Sequence, residues 1–253
     1  MHIERDAWLS DVLRISSWKV LGLDAAVSPR DIKAGLLDCA GGAAAFFSTK
    51  IPTHDAVALS NATQAGFSVI DVNVTLDWDP DAGAILSGEA NGFGAMTVTV
   101  ARPSDAAAVE AVAARCFTFS RFHLDPAIGR ERANEIKRQW AGNSCRGRAS
   151  VVYVAREQGG IFGFLAVLEN TLAGKKAAVI DLIGVEPAYQ GRGGGLAMSR
   201  MFVEEWRDRA DRLRVGTQIS NIPALRLYEK IGFRVAETSY VLHAHIGNGA
   251  LAA

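Results

Sequence analysis

A run of glycines directly follows a strand-like segment of the chain, and this arrangement is suited to binding phosphate. Residues 190–195 read Gln-Gly-Arg-Gly-Gly-Gly, so most of this loop lacks side chains. Such a backbone can turn tightly, and its successive N–H groups can converge on one anion. Because a helical pattern starts at Leu196, these groups would lie at the positive end of a helix. The segment therefore predicts a phosphate-binding loop.

Two widespread phosphate-binding motifs do not match this loop. A dinucleotide-binding loop requires a sixth-position glycine, where this chain has Leu196, and an acidic residue further on, where it has Thr217 and Gln218. A Walker loop requires a Gly-Lys-Ser/Thr triplet, which the segment does not contain. A plain turn would need only one or two glycines. A phosphate site of another kind is therefore the favoured interpretation.

A second segment with chemical potential is Asn221–Phe233. Pro223 suits the first turn of a helix, and Gly232 suits its end. The helix between them carries Tyr228, whose phenol can donate a proton to a thiolate without being ionised at neutral pH. The alternative is a core tyrosine whose hydroxyl has a structural partner.

Three regular elements must position these two segments. Val179–Val185 is almost wholly aliphatic, as expected of a strand covered on both faces. An amphipathic helix then begins at Leu196 and presents Val203 and Trp206 on its apolar face. Leu213–Ile219 has the composition of a second strand. Each predicted strand therefore leads into one of the two candidate segments.

The remaining chain divides at a glycine-rich stretch, Gly83–Gly94. We place a boundary near residue 95, which gives an N-terminal α/β domain over residues 1–95 and a second domain over residues 96–253. In the first domain we predict strands at Phe46–Ile51 and Phe67–Leu76 and a capped helix at Thr53–Ala65. In the second we predict strands at Thr97–Ala101, Val151–Arg156 and Ile161–Glu169 and helices at Pro103–Phe117 and Arg130–Trp140.

Composition excludes several classes of function. The 27 basic and 27 acidic residues give a formal net charge of zero, which argues against binding nucleic acid through bulk charge. Three widely spaced cysteines form neither a disulfide framework nor a metal knuckle, so a reducing cytoplasm is the expected location. Apolar runs stay well short of the roughly 20 residues that span a bilayer, and Glu4, Asp6 and Asp11 do not suit a signal peptide.

Both candidate segments resemble the GNAT superfamily of acyl-CoA-dependent N-acyltransferases. Gln190, Gly193 and Gly195 match the superfamily's loop signature Gln/Arg-x-x-Gly-x-Gly/Ala, and Asn221–Phe233 matches the second half of its coenzyme site. The resemblance implies an α+β fold, a mixed central sheet flanked by helices, and acetyl-CoA as co-substrate. The coenzyme contacts that it implies are Ile183, Val185, Gln190, Gly191, Arg192, Gly193, Gly194, Gly195, Asn221, Ala224 and Tyr228.

Other segments narrow the resemblance to the TDP-fucosamine acetyltransferases, which acetylate the 4-amino group of a nucleotide-linked 4,6-dideoxyhexose. The similar segments are Ala65–Val69, Ser120–His123 and a longer one from Val215 to Tyr240. This resemblance implies a small-molecule acceptor, namely a TDP- or UDP-linked amino sugar used for surface polysaccharide, bound by Arg121. His123 is a second candidate. It could contact a sugar hydroxyl, or it could instead cap the turn at Asp125-Pro126.

The implied reaction is direct attack of the neutral amine on the thioester, so a proton must be removed and the thiolate protonated. The resemblance implies that Tyr228 protonates the thiolate. It also implies that backbone N–H groups of the strand at Ile183–Val185 stabilise the oxyanion. Two carboxylates, Asp71 and Asp181, are candidates for the base, although each could be structural. Water is the third alternative.

Three further interpretations complete the expectations. A GNAT enzyme could instead acetylate a protein or peptide amine, at an N-terminus or a lysine, but 95 additional residues suggest a domain that walls off a pocket for a small acceptor. A catalytically inactive acyl-CoA sensor is disfavoured because Tyr228 and the glycine loop occur together.

The pair His243-x-His245 has metal-like spacing but no third ligand nearby, so we expect no metal. A homodimer is compatible with all of these.

Overall fold

The computed structural model describes residues 1–82, 96–172, 174–247 and 250–251. The predicted domain boundary, with the glycine-rich stretch that defines it, lies outside these residues. The strands are β1 (His2–Arg5), β2 (Ser16–Leu21), β3 (Ala45–Pro52), β4 (Ser68–Trp78), β5 (Thr97–Val100), β6 (Val151–Glu157), β7 (Gly160–Leu172), β8 (Lys175–Val185), β9 (Arg212–Gln218), β10 (Phe233–Gly247) and β11 (Ala250–Leu251). The helices are α1 (Ala7–Leu13), α2 (Pro29–Ala40), α3 (Ala56–Gln64), α4 (Ala106–Cys116), α5 (Arg121–Leu124), α6 (Arg130–Asn143), α7 (Gly194–Trp206) and α8 (Ile222–Lys230).

All described strands belong to one mixed sheet, in the order β1-β2-β3-β10-β4-β9-β8-β7-β6-β5, with β11 paired to β10. The neighbours β2 and β3 are parallel, as are β8 and β9, and the other pairs are antiparallel. Strand β10 comes from the C-terminal half but lies between β3 and β4 of the N-terminal half. The sheet therefore runs without interruption through both halves of the chain.

Helices cover both faces of this sheet. In the C-terminal half, α7 and α8 bury Phe202 and Tyr228 against one face, and α4 packs Val109 and Val112 against the other. In the N-terminal half, α2 packs Ile32 and related residues against β2, β3 and β10. Burial of this many aliphatic and aromatic side chains is the main stabilising contribution to the fold.

A separate cluster joins the two halves on the other face of the N-terminal strands. Leu9 and Leu13 of α1 pack with Ile136 of α6, and the ring centroids of Trp8 and Trp140 lie 5.9 Å apart in an edge-to-face arrangement. Edge-to-face aromatic pairs contribute beyond the area that they bury. Helix α1 thus ties the N-terminal half to the helix that faces the site described below.

The observed elements agree with the predicted α+β class, and the GNAT order β-α-α-β-β-β-α-β-α-β is present with the short α5 added. Helix α8 begins as predicted, because Asn221 accepts a hydrogen bond from the N–H of Ala224 at 3.3 Å. Residues 1–44, for which the sequence predicts no elements, form β1, α1, β2 and α2. Strand β1 is largely exposed, so it lacks the apolar pattern that would reveal it.

The start of α3 was predicted wrongly. Asp55 caps the helix by accepting from the N–H of Ala58 at 2.9 Å, two residues after the predicted start at Thr53. The hydroxyl of Thr53 instead lies 2.5 Å from that of Thr238 on β10. Because Thr53 makes this tertiary contact, its hydroxyl does not cap α3.

Candidate active site

A cavity of about 910 Å³ opens where β8 and β9 diverge. The two strands pair in parallel only from Ala177/Arg212 to Ile180/Val215, whereas β8 continues to Val185 and β9 to Gln218. Strand β8 also contains a register shift against β7 that leaves Asp181 unpaired, and such bulges bend a strand and increase its twist. The bulge and the divergence together leave one backbone edge of β8 open towards the cavity.

The glycine loop forms one end of this cavity. Gly191 and Gly193 have φ angles of +77° and +90°, which a residue with a side chain adopts only at a cost. Gly193 caps the N-terminus of α7, so the first N–H groups of that helix have no intrahelical acceptors. A Cβ at Gly194 would approach Cε2 of Phe162 to 2.7 Å, so the absence of a side chain there is a packing requirement. The loop has the geometry of an anion site.

Neighbouring side chains fix the loop to β8. The side-chain amide of Gln190 donates to the carbonyl of Val185 at 3.1 Å. The guanidinium of Arg192 lies 5.1 Å from the ring centroid of Tyr189, and that ring is stacked on Phe162 at 4.7 Å. Gln190 and Tyr189 line the cavity, together with Gly191, Gly193, Gly194 and Gly195.

The start of α8 forms the facing wall. Asn221 caps the helix and also donates from its amide to the hydroxyl of Thr217 at 3.4 Å. Asn221, Ala224 and Tyr228 all line the cavity, as do Ile183 and Val185 of β8. Of the coenzyme contacts implied by the resemblance, all but Arg192 are therefore among the residues that line this cavity.

Tyr228 is only 2% exposed, and its ring packs 5.9 Å from that of Phe233. Burial raises the pKa of its phenol, so the hydroxyl remains protonated well above neutral pH. Its ring belongs to the core, yet the residue also lines the cavity. This arrangement can hold a neutral proton donor in a fixed position.

The two candidate bases lie in different environments. The Asp181 carboxylate accepts from the indole N–H of Trp140 at 2.8 Å and forms an ion pair with Arg148. Both contacts hold Asp181 in a structural arrangement with Trp140 and Arg148.

Asp71 is 8% exposed, and its Oδ2 has no hydrogen-bond partner within the described part of the chain. Burial raises the pKa of Asp71, and a hydrogen bond from the backbone of Val72 opposes this increase. Asp71 lies directly opposite Val241, which lines the cavity, so the two side chains project from the same face of the sheet. Asp71 therefore has a raised proton affinity, and although it is not itself among the residues that line the cavity, its cross-strand neighbour Val241 is.

The two candidate acceptor contacts also differ. Arg121 lines the cavity, and its guanidinium lies 4.5 Å above the ring of Phe122. His123 has both ring nitrogens engaged, at 2.6 Å from the Ser120 hydroxyl and 2.9 Å from Oδ1 of Asn134. Those contacts join α5 to α6 and leave no ring nitrogen for a sugar. The turn at Asp125 is capped by that residue's own carboxylate, which accepts from the N–H of Ala127 at 2.9 Å.

Several cavity residues were not identified from the sequence. Lys19, Ser48 and Lys50 of β2 and β3 line the cavity, as do Asn73 of β4 and Lys137 of α6. Lys50 lies opposite Val241 in the register of β3 with β10, so its location depends on the insertion of β10 beside β3. No local motif around Lys50 indicates that pairing.

The histidine pair has a third member that is distant in the sequence. Oδ2 of Asp125 lies 2.6 Å from Nδ1 of His243 and 2.8 Å from Nε2 of His245, and such a group of side chains could hold a metal ion. In the structure these atoms are already hydrogen-bonded to one another. Burial alone would raise the pKa of Asp125, but the hydrogen bonds from His243 and His245 outweigh it and hold that pKa far below its ordinary value.

Among the helices of the described residues, none has both the length and the apolar composition needed to cross a membrane.

Comparison with known proteins gives the following relationships. The model of the acetyltransferase (GNAT) family matches residues 108–233. The spore coat polysaccharide biosynthesis protein SpsD of Bacillus subtilis (strain 168) is 33% identical over 149 residues, which cover 58% of this chain and 50% of that protein. The chain thus spans about half the length of this curated relative.

Solved structures share the fold at low sequence identity. A functionally unknown conserved protein from Staphylococcus epidermidis superposes with a TM-score of 0.63 at 15% identity, over 93% of this chain and 87% of the other. A GCN5-related N-acetyltransferase from Sphaerobacter thermophilus gives a TM-score of 0.55 at 19% identity, over 85% and 65% of the two chains. These two similarities include the N-terminal half as well as the region that the family model matches.

Proposed function

We propose that this chain, whose residues 108–233 match the model of the acetyltransferase (GNAT) family, is an acyltransferase that uses acetyl-CoA to acetylate the amine of a nucleotide-linked amino-deoxysugar. The acceptor class that we favour is a TDP- or UDP-linked 4-amino-4,6-dideoxyhexose. The observation that carries the proposal is one cavity lined both by the glycine loop and by N-terminal strands that the family model does not match.

The coenzyme half of the proposal uses the glycine loop and α8. The N–H groups at the start of α7 would bind the pyrophosphate of coenzyme A, because they have no intrahelical acceptors and lie at the positive end of the helix. The open edge of β8 from Ile183 to Val185 would bind the pantetheine arm by strand-like hydrogen bonds. Asn221 fixes the start of α8 against Thr217 on the opposite side.

The acceptor half uses the N-terminal strands. Lys19, Ser48 and Lys50 place polar and cationic groups on the cavity wall, which suits an anionic, hydroxyl-rich molecule. The name of the Bacillus subtilis relative refers to polysaccharide biosynthesis, which supports a sugar-derived acceptor. The division near residue 95 remains part of this proposal, with the first domain forming the acceptor wall.

In the proposed mechanism, the acceptor amine attacks the thioester carbonyl, so that a C–N bond forms and the C–S bond breaks. Backbone N–H groups of β8 would stabilise the negative charge that develops on the carbonyl oxygen. Tyr228 would donate its proton to the departing thiolate. Asp71, acting through water, would accept the proton that the amine loses. Asp181 would hold Trp140 and Arg148 in place instead.

The test is release of free thiol from acetyl-CoA with purified candidate acceptors supplied one at a time. We expect turnover with one or more TDP- or UDP-linked amino-deoxysugars and none with peptides that present an N-terminal amine or a lysine. Turnover with peptides alone would contradict the proposal and would make the N-terminal half a protein-docking element. Hydrolysis of acetyl-CoA at the same rate without any acceptor would also contradict it.

A further inference from the structure

Three cationic side chains from elements other than the glycine loop line the cavity. Lys50 comes from β3, Arg121 from α5 and Lys137 from α6, and all three line the cavity. Lys137 is only 8% exposed. No ion pair joins any of the three to a carboxylate of residues 1–82, 96–172 or 174–247. A buried cation without a counterion is costly, so its presence requires an explanation.

Aromatic rings hold two of these cations in place without neutralising them. Nζ of Lys137 lies 4.8 Å from the ring centroid of Phe117 and 4.7 Å from that of Trp140. The guanidinium of Arg121 lies over Phe122. These contacts fix the direction of each charge and partly offset its desolvation.

The charge of Arg121 acts on both lysines. Burial lowers the pKa of Lys137 to about 8, with Arg121 adding to the decrease. Burial and Arg121 also lower the pKa of Lys50. Arg121 itself has its pKa lowered to about 10 by burial, against an opposing effect of Asp6. Arg121 therefore lies within electrostatic range of each of the two lysines.

The nearby carboxylates have other partners. Asp6 forms an ion pair with Lys19 at 3.2 Å. Asp181, which raises the pKa of Lys137, is bound by Arg148 and Trp140. The wall that carries Lys50, Arg121 and Lys137 therefore has an excess of positive charge facing the cavity.

We propose that Lys50, Arg121 and Lys137 form a second diphosphate-binding subsite, which holds the diphosphate of the acceptor. This inference rests on the proposed function, and it names how the acceptor is recognised. A diphosphate presents several oxygens and at least two charges, so it can satisfy a guanidinium fork and two ammonium groups together. The diphosphate of coenzyme A has a separate site in the glycine loop, which is built from different elements.

The test is calorimetric titration of inorganic pyrophosphate into the protein saturated with coenzyme A, so that the glycine loop is already occupied. Lys50→Met and Lys137→Met remove one charge each while keeping similar side-chain length, and Arg121→Lys keeps the charge but removes the fork. Lys175→Met, at the exposed start of β8, is the matched control for loss of one positive charge.

We expect each of the two Lys→Met variants to bind pyrophosphate roughly tenfold more weakly than the wild type, with coenzyme A affinity unchanged. Lys175→Met should bind pyrophosphate like the wild type. Equal pyrophosphate binding by all variants would overturn the inference. A loss of coenzyme A affinity in Lys50→Met or Lys137→Met would also overturn it, because the charges would then serve the coenzyme.

Acetylation assays separate this inference from the proposed function. If an amino-sugar nucleotide is acetylated and the Lys→Met variants raise its KM with little change in kcat, the results support both the subsite and the proposed function. If the same sugar is acetylated with an unchanged KM in the variants, the results contradict the subsite but support the function. If the variants lose pyrophosphate binding but no amino-sugar nucleotide is acetylated, the results contradict the function and support an anion site at these three residues.

Discussion

At the scale of single residues, the site is defined by groups whose environments fix their protonation. Tyr228 is buried, and its phenol stays neutral. Asp71 is buried with one oxygen lacking a partner among the described residues, whereas Asp181 is bound by Trp140 and Arg148. Two carboxylates that look equivalent in the sequence therefore have different environments, and this difference arises from their contacts.

We predict that Tyr228→Phe reduces kcat by roughly 100-fold or more, because the variant keeps the ring but loses the proton that the thiolate requires. The dissociation constant for acetyl-CoA should change little. Tyr189→Phe is the matched control, since Tyr189 also lines the cavity, and it should retain kcat. Steady-state kinetics would measure kcat, and equilibrium binding would measure the dissociation constant for acetyl-CoA. A wild-type kcat in Tyr228→Phe would show that Tyr228 does not protonate the thiolate.

For the base, we predict that Asp71→Asn lowers kcat/KM. In the wild type, kcat/KM should decrease at acidic pH as Asp71 becomes protonated, and the Asp71→Asn variant should not show this decrease. The raised pKa of Asp71 would bring that decrease closer to neutral pH than an exposed aspartate would. Asp181→Asn should keep the acidic decrease and lower the melting temperature, because Arg148 loses its carboxylate. A pH profile of Asp71→Asn that matches the wild type would assign proton removal to water.

At the scale of elements, the sequence indicated most of the cavity wall that we propose binds the coenzyme but little of the wall that we propose binds the acceptor. The glycine loop and the cap of α8 follow from local turn chemistry, so adjacent residues suffice to identify them. Lys50 reaches the cavity because β10 pairs with β3, a pairing between segments far apart in the chain. The role of Asp125 beside His243 and His245 depends on tertiary packing in the same way. Such contacts have no local signature.

The loop also gives a prediction at the scale of an element. Gly194→Ala should weaken acetyl-CoA binding, because the new Cβ would come within 2.7 Å of Phe162 and displace the first turn of α7. Overpacking of this kind costs about 1–3 kcal/mol. Gly160→Ala is the control, since its Cβ would approach no closer than 3.6 Å to the carbonyl of Glu157. If acetyl-CoA affinity is unchanged in Gly194→Ala, the N-terminus of α7 is not the phosphate site.

At the scale of the whole molecule, a sheet that runs through both halves makes the proposed acceptor wall and the proposed coenzyme wall parts of one structure. Strand β10 pairs with β3 and β4, and its His243 and His245 bind Asp125, which follows α5. These contacts hold the segment that carries Arg121 against the N-terminal strands. The cavity therefore depends on the association of both halves.

This association should depend on pH. Burial lowers the pKa of His243 to about 4, compared with about 6.5 for an unperturbed histidine. Between these values the unfolded chain binds a proton that the folded chain does not, so stability should fall as pH decreases from about 6.5 to 4. Asp125, whose pKa is held low, adds a loss at still lower pH.

Melting temperatures across this range should show a smaller decrease for His243→Asn, which keeps a donor towards Asp125 but does not titrate. His2→Asn, at an exposed position, is the control and should follow the wild type. An equal decrease in His243→Asn and the wild type would exclude His243 as the source of the pH dependence.

The measurement that tests the central claim most directly is a competition experiment. The protein would be mixed with acetyl-CoA and a pool of TDP- and UDP-linked amino-deoxysugars and amine-bearing peptides, and the acetylated products would be identified by mass spectrometry. The account predicts that acetyl groups appear on an amino-sugar nucleotide and not on the peptides. Acetylation of the peptides, with every nucleotide sugar unmodified, would contradict it.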